Sequence, residues 1–268
     1  MNAFLVDGVR TPVGNFGGTL ASIRTDDLAA LTISELLKRN SSLDPAMVGD
    51  VILGCANQAG EDNRNVARMA SLLAGLPVSV PGETVNRLCA SGLASAVNGS
   101  RMLALGDADL VIAGGVENMT RGPWVMSKAS KAFGRDSSLY DTSFGWRFIN
   151  PKLEAVYGVD GMGVTAENLV DKYSISREDQ DAFAFRSHMK AAAARDAGRL
   201  AQEIIPVNIP RRKQDDLIFE HDEFIKPDTT VEILAKLRPA FRKEGGSVTA
   251  GNSSGLNDGS AALLLANE

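Results

Sequence analysis

The chain has 268 residues, of which 44% are hydrophobic and 23% charged, and its formal net charge is -5 at pH 7. This composition is typical of a globular protein, and the lack of a basic surplus argues against general nucleic-acid binding. No apolar run approaches the roughly 20 residues of a membrane-spanning helix, and the first residues lack the layout of a secretory signal. The two cysteines, Cys55 and Cys89, give no disulfide framework. We therefore expect a cytoplasmic protein with reduced thiols.

The first half of the chain alternates between strand and helix patterns. Strands are predicted at 3–7, 50–56, 83–86 and 110–116, and helices at 26–38, 65–74 and 89–105. The last two of these strands and the helix between them form a β-α-β unit, whose strands should be parallel with a right-handed crossover. Such alternation predicts a layered α/β fold with a mostly parallel mixed sheet flanked by helices.

The pattern changes after Glu117. Residues 119–160 read as irregular, and helical patterns return at 165–173, 176–198 and about 230–237. An apolar strand predicted at 261–265 reads as a return to the first sheet. The sequence therefore predicts one α/β domain, residues 1–118 and 249–268, interrupted by a long inserted loop domain over residues 119–248.

Cys89 is the candidate nucleophile, because it lies where a strand is predicted to turn into a helix. A thiolate is the attacking species, and the unpaired N–H groups and partial positive charge of a helix N-terminus favour an anion. The same N–H groups would stabilise an oxyanion, and the small residues 90–92 leave room for an acyl chain. The alternative is a structural cysteine in a tightly packed helix.

Cys55 lies within an apolar strand, where removal from water raises the pKa of a thiol, and it is predicted to be structural. A redox pair of Cys55 and Cys89 is a further alternative, although no Cys-x-x-Cys spacing supports it.

The stretch VNRLCASGLASA around Cys89 resembles the acylation-site motif of thiolases, in which Asn-x-x-Cys-x-Ser-Gly opens a helix. Four further stretches resemble motifs of the same family in the same order. They are RTPVGNFGG at 10–18, GGVENMT at 114–120, MGVTAEN at 162–168 and VTAGNSSGLNDGSAALLL at 248–265. Five ordered motifs thus extend the resemblance to the thiolase family over the whole length of the chain.

The resemblance implies a thiolase-like fold and an acyl-CoA acyltransferase in which Cys89 carries the acyl group. It implies coenzyme A thioesters as substrates, with no tightly bound cofactor. No metal is expected, because no His/Cys/Asp cluster in the sequence has ligand spacing. Ser254 matches a serine that contacts the pantetheine arm, Lys226 falls where many relatives place an arginine near the nucleotide, and Met162 would line the acyl pocket. The family often has a histidine just before Met162, where this chain has Gly161. The alternatives are a serine that bonds its own loop, a solvated lysine and a packing methionine.

Claisen chemistry also needs a base. In thiolases a Gly-His-Pro histidine and a Cys-x-Gly-Gly cysteine of a C-terminal domain serve this purpose, and the sequence contains neither motif. Its histidines, His188 and His221, are predicted to be surface residues. We therefore expect a thiolase N-terminal domain without the C-terminal domain, not competent alone for full turnover. The full-length protein is expected to be a homodimer or homotetramer.

The stretch TSFGWRFINPKLEAVYGVDGMG at 142–163 resembles a loop of 3-oxoadipyl-CoA (β-ketoadipyl-CoA) thiolases, which serve aromatic catabolism through the β-ketoadipate pathway. The implied reaction is thiolytic cleavage of 3-oxoadipyl-CoA to succinyl-CoA and acetyl-CoA. Arg121, Arg135 or Arg147 would pair with its distal carboxylate. The alternatives are an acetyl-CoA C-acetyltransferase, a fatty-acid 3-ketoacyl-CoA thiolase and, from another class, a non-catalytic CoA-binding or assembly module.

Overall fold

The computed structural model describes residues 2–268 and divides into two compact units. Unit 1 comprises Met1–Gly122, Leu200–Glu223 and Asn257–Glu268, and unit 2 comprises Pro123–Arg199 and Phe224–Leu256. These bounds differ from the predicted ones in two places. Residues 200–223, expected in the insertion, group with unit 1, and residues 249–256, expected in the domain, group with unit 2. Within the described residues, no helix is both long and apolar enough to cross a membrane.

The described residues form ten strands and seven α-helices. The strands are β1 (Phe4–Arg10), β2 (Gly14–Asn15), β3 (Asp50–Gly54), β4 (Gly82–Val85), β5 (Leu110–Asn118), β6 (Trp124–Met126), β7 (Leu139–Asp141), β8 (Val207–Ile209), β9 (Leu217–Phe219) and β10 (Asn257–Ala266). The helices are α1 (Thr25–Arg39), α2 (Val66–Leu73), α3 (Ser91–Leu105), α4 (Pro151–Tyr157), α5 (Met162–Tyr173), α6 (Arg177–Asp196) and α7 (Val231–Ala235).

The main sheet of unit 1 has the order β1-β10-β5-β3-β4, with β2 paired to β10. Strand β3 is parallel to β4 and β5, whereas β10 is antiparallel to β1, β2 and β5. Only β10 therefore runs against the other strands of this sheet. The predicted β-α-β unit is present as β4-α3-β5, and the last strand returns to the first sheet as expected.

Helices cover both faces of this sheet. On one face, buried Leu28 and Ile33 of α1 pack in a cluster that includes Leu53 of β3. On the other face, Leu103 of α3 packs against Ile52 and the remaining members of a second cluster, Val111, Ala113 and Leu265. The sheet therefore lies between two helical layers, which confirms the predicted layered α/β fold.

Residues 200–223 belong to unit 1 because they bury apolar side chains there. The hairpin β8–β9 places Val207, Ile209 and Phe219 in the same cluster as α1, together with Ile205. The alternation of Ile205, Val207 and Ile209 is the period of a half-buried strand, but two prolines and a charged run made the segment read as a surface excursion. The charged run 211–216 at the tip of the hairpin is exposed, as predicted.

Arg10 joins this segment to the first strand. Its Nε donates to Glu203 at 2.7 Å, and its Nη1 and Nη2 donate to the Asp222 carboxylate at 2.7 and 3.0 Å. Burial opposes ionisation of Asp222, but hydrogen bonds from Arg10 and the Val13 N–H outweigh it and lower the pKa of this carboxyl. A charge-assisted, bidentate contact of this kind fixes geometry as well as adding stability.

Glu223 extends the same attachment to the loop after β1. Its carboxylate accepts hydrogen bonds from the Asn15 N–H at 2.7 Å and from the Thr19 N–H and hydroxyl. A Cβ at Gly18 would overlap this carboxylate, which explains a glycine at that position. Residues 203–223 are thus attached to the rest of unit 1 through contacts with the stretch RTPVGNFGG.

Unit 2 contains α4 to α7 and the hairpin β6–β7. The pattern Ser176-x-x-Asp179 is a variant of the capping box, and the cap that it predicts for α6 is present, because Ser176 Oγ accepts from the Asp179 N–H. Arg177 then donates to the carbonyl oxygens of Leu234 and Leu237 around the end of α7. The region predicted as irregular contains β6, β7 and α4, all of which are short.

Substitution of Arg10 by methionine keeps the aliphatic stem but removes three charge-assisted hydrogen bonds. We expect the free energy of unfolding to fall by about 2 kcal/mol, since the Asp222 carboxylate keeps only its backbone partner. Urea unfolding followed by circular dichroism measures this change. The control is Arg211→Met in the exposed tip of the hairpin, which should leave the midpoint unchanged. Equal midpoints for the two variants would contradict the role given to Arg10.

Candidate active site

Cys89 lies in the turn between β4 and α3, and it is exposed. The helix begins at Ser91, two residues later than predicted, so that Cys89 precedes the helix instead of opening it. Residues 87–90 form a turn instead, in which Leu88 has a φ of +50° in the left-handed region. A residue other than glycine rarely adopts this conformation, and a right-handed helix cannot pass through it.

Asn86 and Ser91 hold this turn on either side of Cys89. The Asn86 side chain donates to the Ala56 carbonyl oxygen at 3.0 Å and accepts from the Leu88 N–H at 3.0 Å. Ser91 Oγ accepts from the Arg87 N–H at 2.8 Å and donates to the Leu88 carbonyl oxygen at 2.6 Å. The asparagine and serine of the Asn-x-x-Cys-x-Ser-Gly motif therefore fix the backbone that carries the thiol.

The first turn of α3 rests directly on the backbone of the sheet. A Cβ at Gly54, the last residue of β3, would overlap the backbone of Ser91 and Gly92. One turn later, the buried Ser95 hydroxyl accepts from the Gly114 N–H of β5 at 3.0 Å. The close approach permitted by Gly54 sets where the N-terminus of α3 lies, and hence where its N–H groups point relative to the turn.

Cys89 lies two residues before the first residue of α3. The first-turn N–H groups of a helix have no intrahelical acceptors, and α3 has no acidic residue in its first turn. An exposed thiol at this position can attack an electrophile that arrives from solvent. The arrangement therefore provides a nucleophile next to hydrogen-bond donors.

Cys55 has the opposite surroundings. Its side chain is buried, and its Sγ donates to Asp62 Oδ2 at 3.5 Å. Burial, followed by the charges of Glu117 and Asp62, raises the pKa of the Cys55 thiol far above its ordinary value. The structural role predicted for Cys55 agrees with this environment. Both cysteines are free thiols.

Glu117 supports the loop that follows β3. Its two carboxylate oxygens accept from the Ala56 N–H at 2.8 Å and the Asn57 N–H at 3.1 Å. Because Asn86 bonds the carbonyl oxygen of the same Ala56, Glu117 contributes to the position of the Cys89 turn. Ligand atoms of Cys55, Asp62 and Glu117 lie within 4.8 Å of one another, but loop N–H groups occupy both carboxylates.

Unit 2 contains a cavity of about 360 Å³ between α6, residues 224–225 and the turn 251–254. Ser254 lines it and is exposed, whereas the neighbouring Ser253 bonds its own loop by donating to the Thr249 carbonyl oxygen at 2.7 Å. Lys226 comes directly after the lining residues Phe224 and Ile225, and its Nζ lies 5.3 Å from the centroid of the Phe224 ring. The structure thus brings two of the predicted coenzyme A contacts, Ser254 and Lys226, to one part of unit 2.

Met162 and His188 differ from what their patterns suggested. Met162 opens α5 with 79% of its surface exposed, and the residues lining the cavity in unit 2 do not include it. His188 was predicted to be a surface residue, but it lines the cavity and its Nδ1 accepts from the Lys226 N–H at 3.3 Å. His221 is exposed as predicted.

Buried acids that the sequence did not single out hold the turn 247–254. The fully buried Glu167 accepts from the N–H groups of Ser247 and Val248, at 2.9 and 2.8 Å to its Oε1. Asn252 donates to Asp181 at 2.9 Å. The glutamate of MGVTAEN and the asparagine of AGNSSG therefore both hold the turn 247–254 in place. In the sequence, their positions in the two motifs were the signal that could have indicated this role.

Arg121 is engaged within unit 1. It forms a bidentate ion pair with Glu61, in which Nε lies 2.7 Å from Oε2, and its Nη1 donates to the Ala21 carbonyl oxygen. Hydrogen bonding to Arg121 lowers the pKa of Glu61. This pairing argues against Arg121 as the partner of a substrate carboxylate, which was one of three arginines considered.

The sequence model of the family described as "Thiolase, N-terminal domain" matches residues 3–268. The chain belongs to the thiolase family. The resemblance carried by the five motifs is therefore confirmed. A solved acetyl-CoA acetyltransferase of Bacillus anthracis matches this thiolase chain with a TM-score of 0.88 at 40% sequence identity. That match covers 100% of this chain and 66% of the other, and it confirms the thiolase-like fold.

Curated relatives give similar coverage. The β-ketoadipyl-CoA thiolase of Pseudomonas aeruginosa is 57% identical over 98% of this thiolase chain. The 3-oxoadipyl-CoA/3-oxo-5,6-dehydrosuberyl-CoA thiolase of Escherichia coli K12 is 55% identical over 99% of it. An acetyl-CoA acetyltransferase of Chromobacterium violaceum is 46% identical over 99%. The chain spans 65% of the length of the first of these relatives and 66% of the other two.

Substitution of Gly54 by alanine tests whether the contact between β3 and α3 sets the reactivity of Cys89. The added methyl group overlaps the backbone of Ser91 and Gly92, so the helix must shift away from the sheet. We expect alkylation of Cys89 by iodoacetamide to slow about tenfold, in line with the effect of small displacements on reacting groups. Peptide mapping by mass spectrometry measures the rate on the folded chain.

The matched control is Gly92→Ala in the same turn of α3. Its Cβ would meet only the Gly114 carbonyl oxygen, at an ordinary contact distance of 3.8 Å. This variant should react at close to the parent rate. The same rate in both variants would show that the close approach does not control the thiol.

Proposed function

We propose that this chain is the nucleophile-bearing part of a thiolase-type acyl-CoA acyltransferase and that Cys89 becomes acylated. The observation that carries the proposal is an exposed cysteine in a turn fixed by Asn86 and Ser91, immediately before the N-terminus of α3. The buried Cys55, beside two carboxylates, is a poor rival for this role. A non-catalytic CoA-binding or assembly module remains the second candidate, because it would keep the fold without acylation.

The reaction proceeds in two transfers. The Cys89 thiolate attacks the C3 carbonyl of a 3-oxoacyl-CoA, and the bond between C2 and C3 breaks. The electron pair passes to C2, which takes up a proton, so that acetyl-CoA leaves and the shortened acyl group stays on sulfur. The thiol of free CoA then gives up its proton, attacks this thioester and regenerates the cysteine. The proton transfers need a base, which the family resemblance assigns to C-terminal motifs.

Coenzyme A thioesters are the proposed substrates, with no tightly bound cofactor. Ser254 would contact the pantetheine arm, and its place on the cavity of unit 2 supports this role. Lys226 would face the nucleotide phosphates as a single positive charge, without the fork that an arginine offers. Met162, exposed at the start of α5, would contact the acyl group or the coenzyme.

For the acyl chain we propose succinyl, so that the complete protein cleaves 3-oxoadipyl-CoA to succinyl-CoA and acetyl-CoA. The relatives called β-ketoadipyl-CoA thiolase in Pseudomonas and Acinetobacter are 54–57% identical to this chain. The acetyl-CoA acetyltransferases are 46% and 40% identical. This difference favours the β-ketoadipate reaction over an acetyl-CoA C-acetyltransferase or a fatty-acid 3-ketoacyl-CoA thiolase, and hence a place in aromatic catabolism.

The complete protein is proposed to be a cytoplasmic homodimer or homotetramer. Exposed leucines on α3 support a covered surface there, since Leu93 and Leu105 are 70% and 77% exposed. Large exposed apolar side chains are found at surfaces that contact another domain or subunit.

The test is the intact mass of the chain after incubation with succinyl-CoA or acetyl-CoA. We expect one succinyl group to add to the parent chain, faster than one acetyl group, because the acyl site is proposed to select succinyl. Peptide mapping should place the group on Cys89, and the Cys89→Ser variant should remain unmodified.

The outcomes separate the candidates. Acetylation without succinylation would favour an acetyltransferase. A chain that binds CoA but stays unmodified, although Cys89 reacts with iodoacetamide, would favour the non-catalytic module. An equal adduct on the Cys89→Ser variant would contradict the assignment of the nucleophile.

A further inference from the structure

His188 joins helix α6 to the segment that carries Lys226. Its Nδ1 lies 3.3 Å from the Lys226 backbone nitrogen, and its ring centroid lies 6.3 Å from that of Phe224. Both rings line the cavity of unit 2, and so does Ser254. The residues 224–227 form neither strand nor helix, so this segment has no ladder of backbone hydrogen bonds to fix it. The hydrogen bond to a side chain of α6 therefore contributes strongly to the position of this segment.

The hydrogen bond defines the protonation state of the imidazole. A backbone N–H can only donate, so Nδ1 must be unprotonated and the single proton of the neutral ring must be on Nε2. An imidazolium would turn an N–H toward the Lys226 N–H and break the contact. Burial, and then the charge of Lys226, lower the pKa of His188. The bond is thus present above this lowered pKa and is lost as the pH falls through it.

The charged groups around His188 also favour its neutral form. Lys226 is the charged group that faces it from residues 224–226. The cavity-lining residues of the turn 251–254 and of α6 are otherwise uncharged: Gly251, Asn252, Ser253, Ser254, Phe183, Ala184, Ser187 and Ala191. The lining therefore contains no carboxylate that would stabilise an imidazolium, and the neutral acceptor form is favoured.

We propose that His188 is a positioning residue for coenzyme A binding, because its neutral imidazole fixes the backbone of Lys226 beside the cavity that Ser254 lines. The proposal rests on the proposed function, which makes this cavity and Lys226 part of a coenzyme site. Without the acceptor, Lys226 would be free to move away from the position at which its charge meets a phosphate. Affinity for coenzyme A then depends on an acceptor atom at the Nδ1 position and not on histidine itself.

The test uses the 268-residue chain and three variants. In His188→Asn, the amide oxygen takes the position of Nδ1 and does not titrate, whereas His188→Leu has no acceptor. His221→Asn removes the exposed histidine as a matched control. At about pH 7.5, calorimetric titration with coenzyme A should give similar affinities for the parent, His188→Asn and His221→Asn. The leucine variant should bind about three- to tenfold more weakly, the effect of one lost hydrogen bond.

The dependence on pH gives a second readout that packing alone would not change. Between about pH 7.5 and about pH 5.5, the affinity of the parent chain should fall more than that of His188→Asn. Titration of the coenzyme's own phosphate affects both proteins equally, so the difference between them reports on His188. Parallel pH profiles, together with full affinity in His188→Leu, would overturn the proposal.

Hydrogen exchange at the Lys226 amide tests the contact without coenzyme A. Exchange should be faster in His188→Leu than in the parent and in His188→Asn, and equal rates would also overturn the proposal. A parent chain that does not bind coenzyme A at all would instead contradict the proposed function. The two failures are therefore distinguishable.

Discussion

The close approach of helix α3 to the central strands is the constraint on which the candidate active site depends. Gly54 allows the backbone of Ser91 and Gly92 to lie against β3, and a side chain there would move the helix outward. Glycine makes a strand less stable, and it is typical of positions where the backbone of another element must approach closely. The glycine of β3 therefore places the donor end of α3 next to the turn that carries Cys89.

Buried or half-buried carboxylates provide the second recurring support. Glu117, Glu167 and Glu223 each accept hydrogen bonds from backbone N–H groups of a loop that is distant in sequence. Asp258 does the same for Thr120, and burial raises the pKa of this carboxyl in spite of that bond. An ionised acid is costly to bury unless such donors surround it, and charge-assisted bonds to backbone are strong. Acidic residues in the family motifs thus serve loop geometry.

The sequence predicted the parts of the fold that local periodicity controls. The β4-α3-β5 unit, the return of the final strand and the Ser176 cap were all correct within a few residues. The attachment of residues 200–223 to unit 1 was not predicted, because it depends on Arg10 and on loop N–H groups some 190 to 210 positions earlier in the chain. The start of α3 was predicted two residues early because the turn before it is held by the side chains of Asn86 and Ser91, and hydrophobic periodicity does not reveal such bonds. The role proposed for His188 was missed because the Lys226 N–H from which it accepts is 38 residues away.

The contrast between the two cysteines shows how the fold selects one thiol. Cys55 and Cys89 follow neighbouring strands, β3 and β4, whose pairing ends at Gly54 and Val85. At the first position the chain turns into the core beside Asp62 and Glu117, and these surroundings oppose a thiolate. At the second, the left-handed turn at Leu88 leaves the sulfur exposed before a helix that carries no acid in its first turn. Since the thiolate is the reactive form, burial disfavours the Cys55 thiol as a nucleophile, whereas the exposed Cys89 thiol is accessible to an electrophile from solvent.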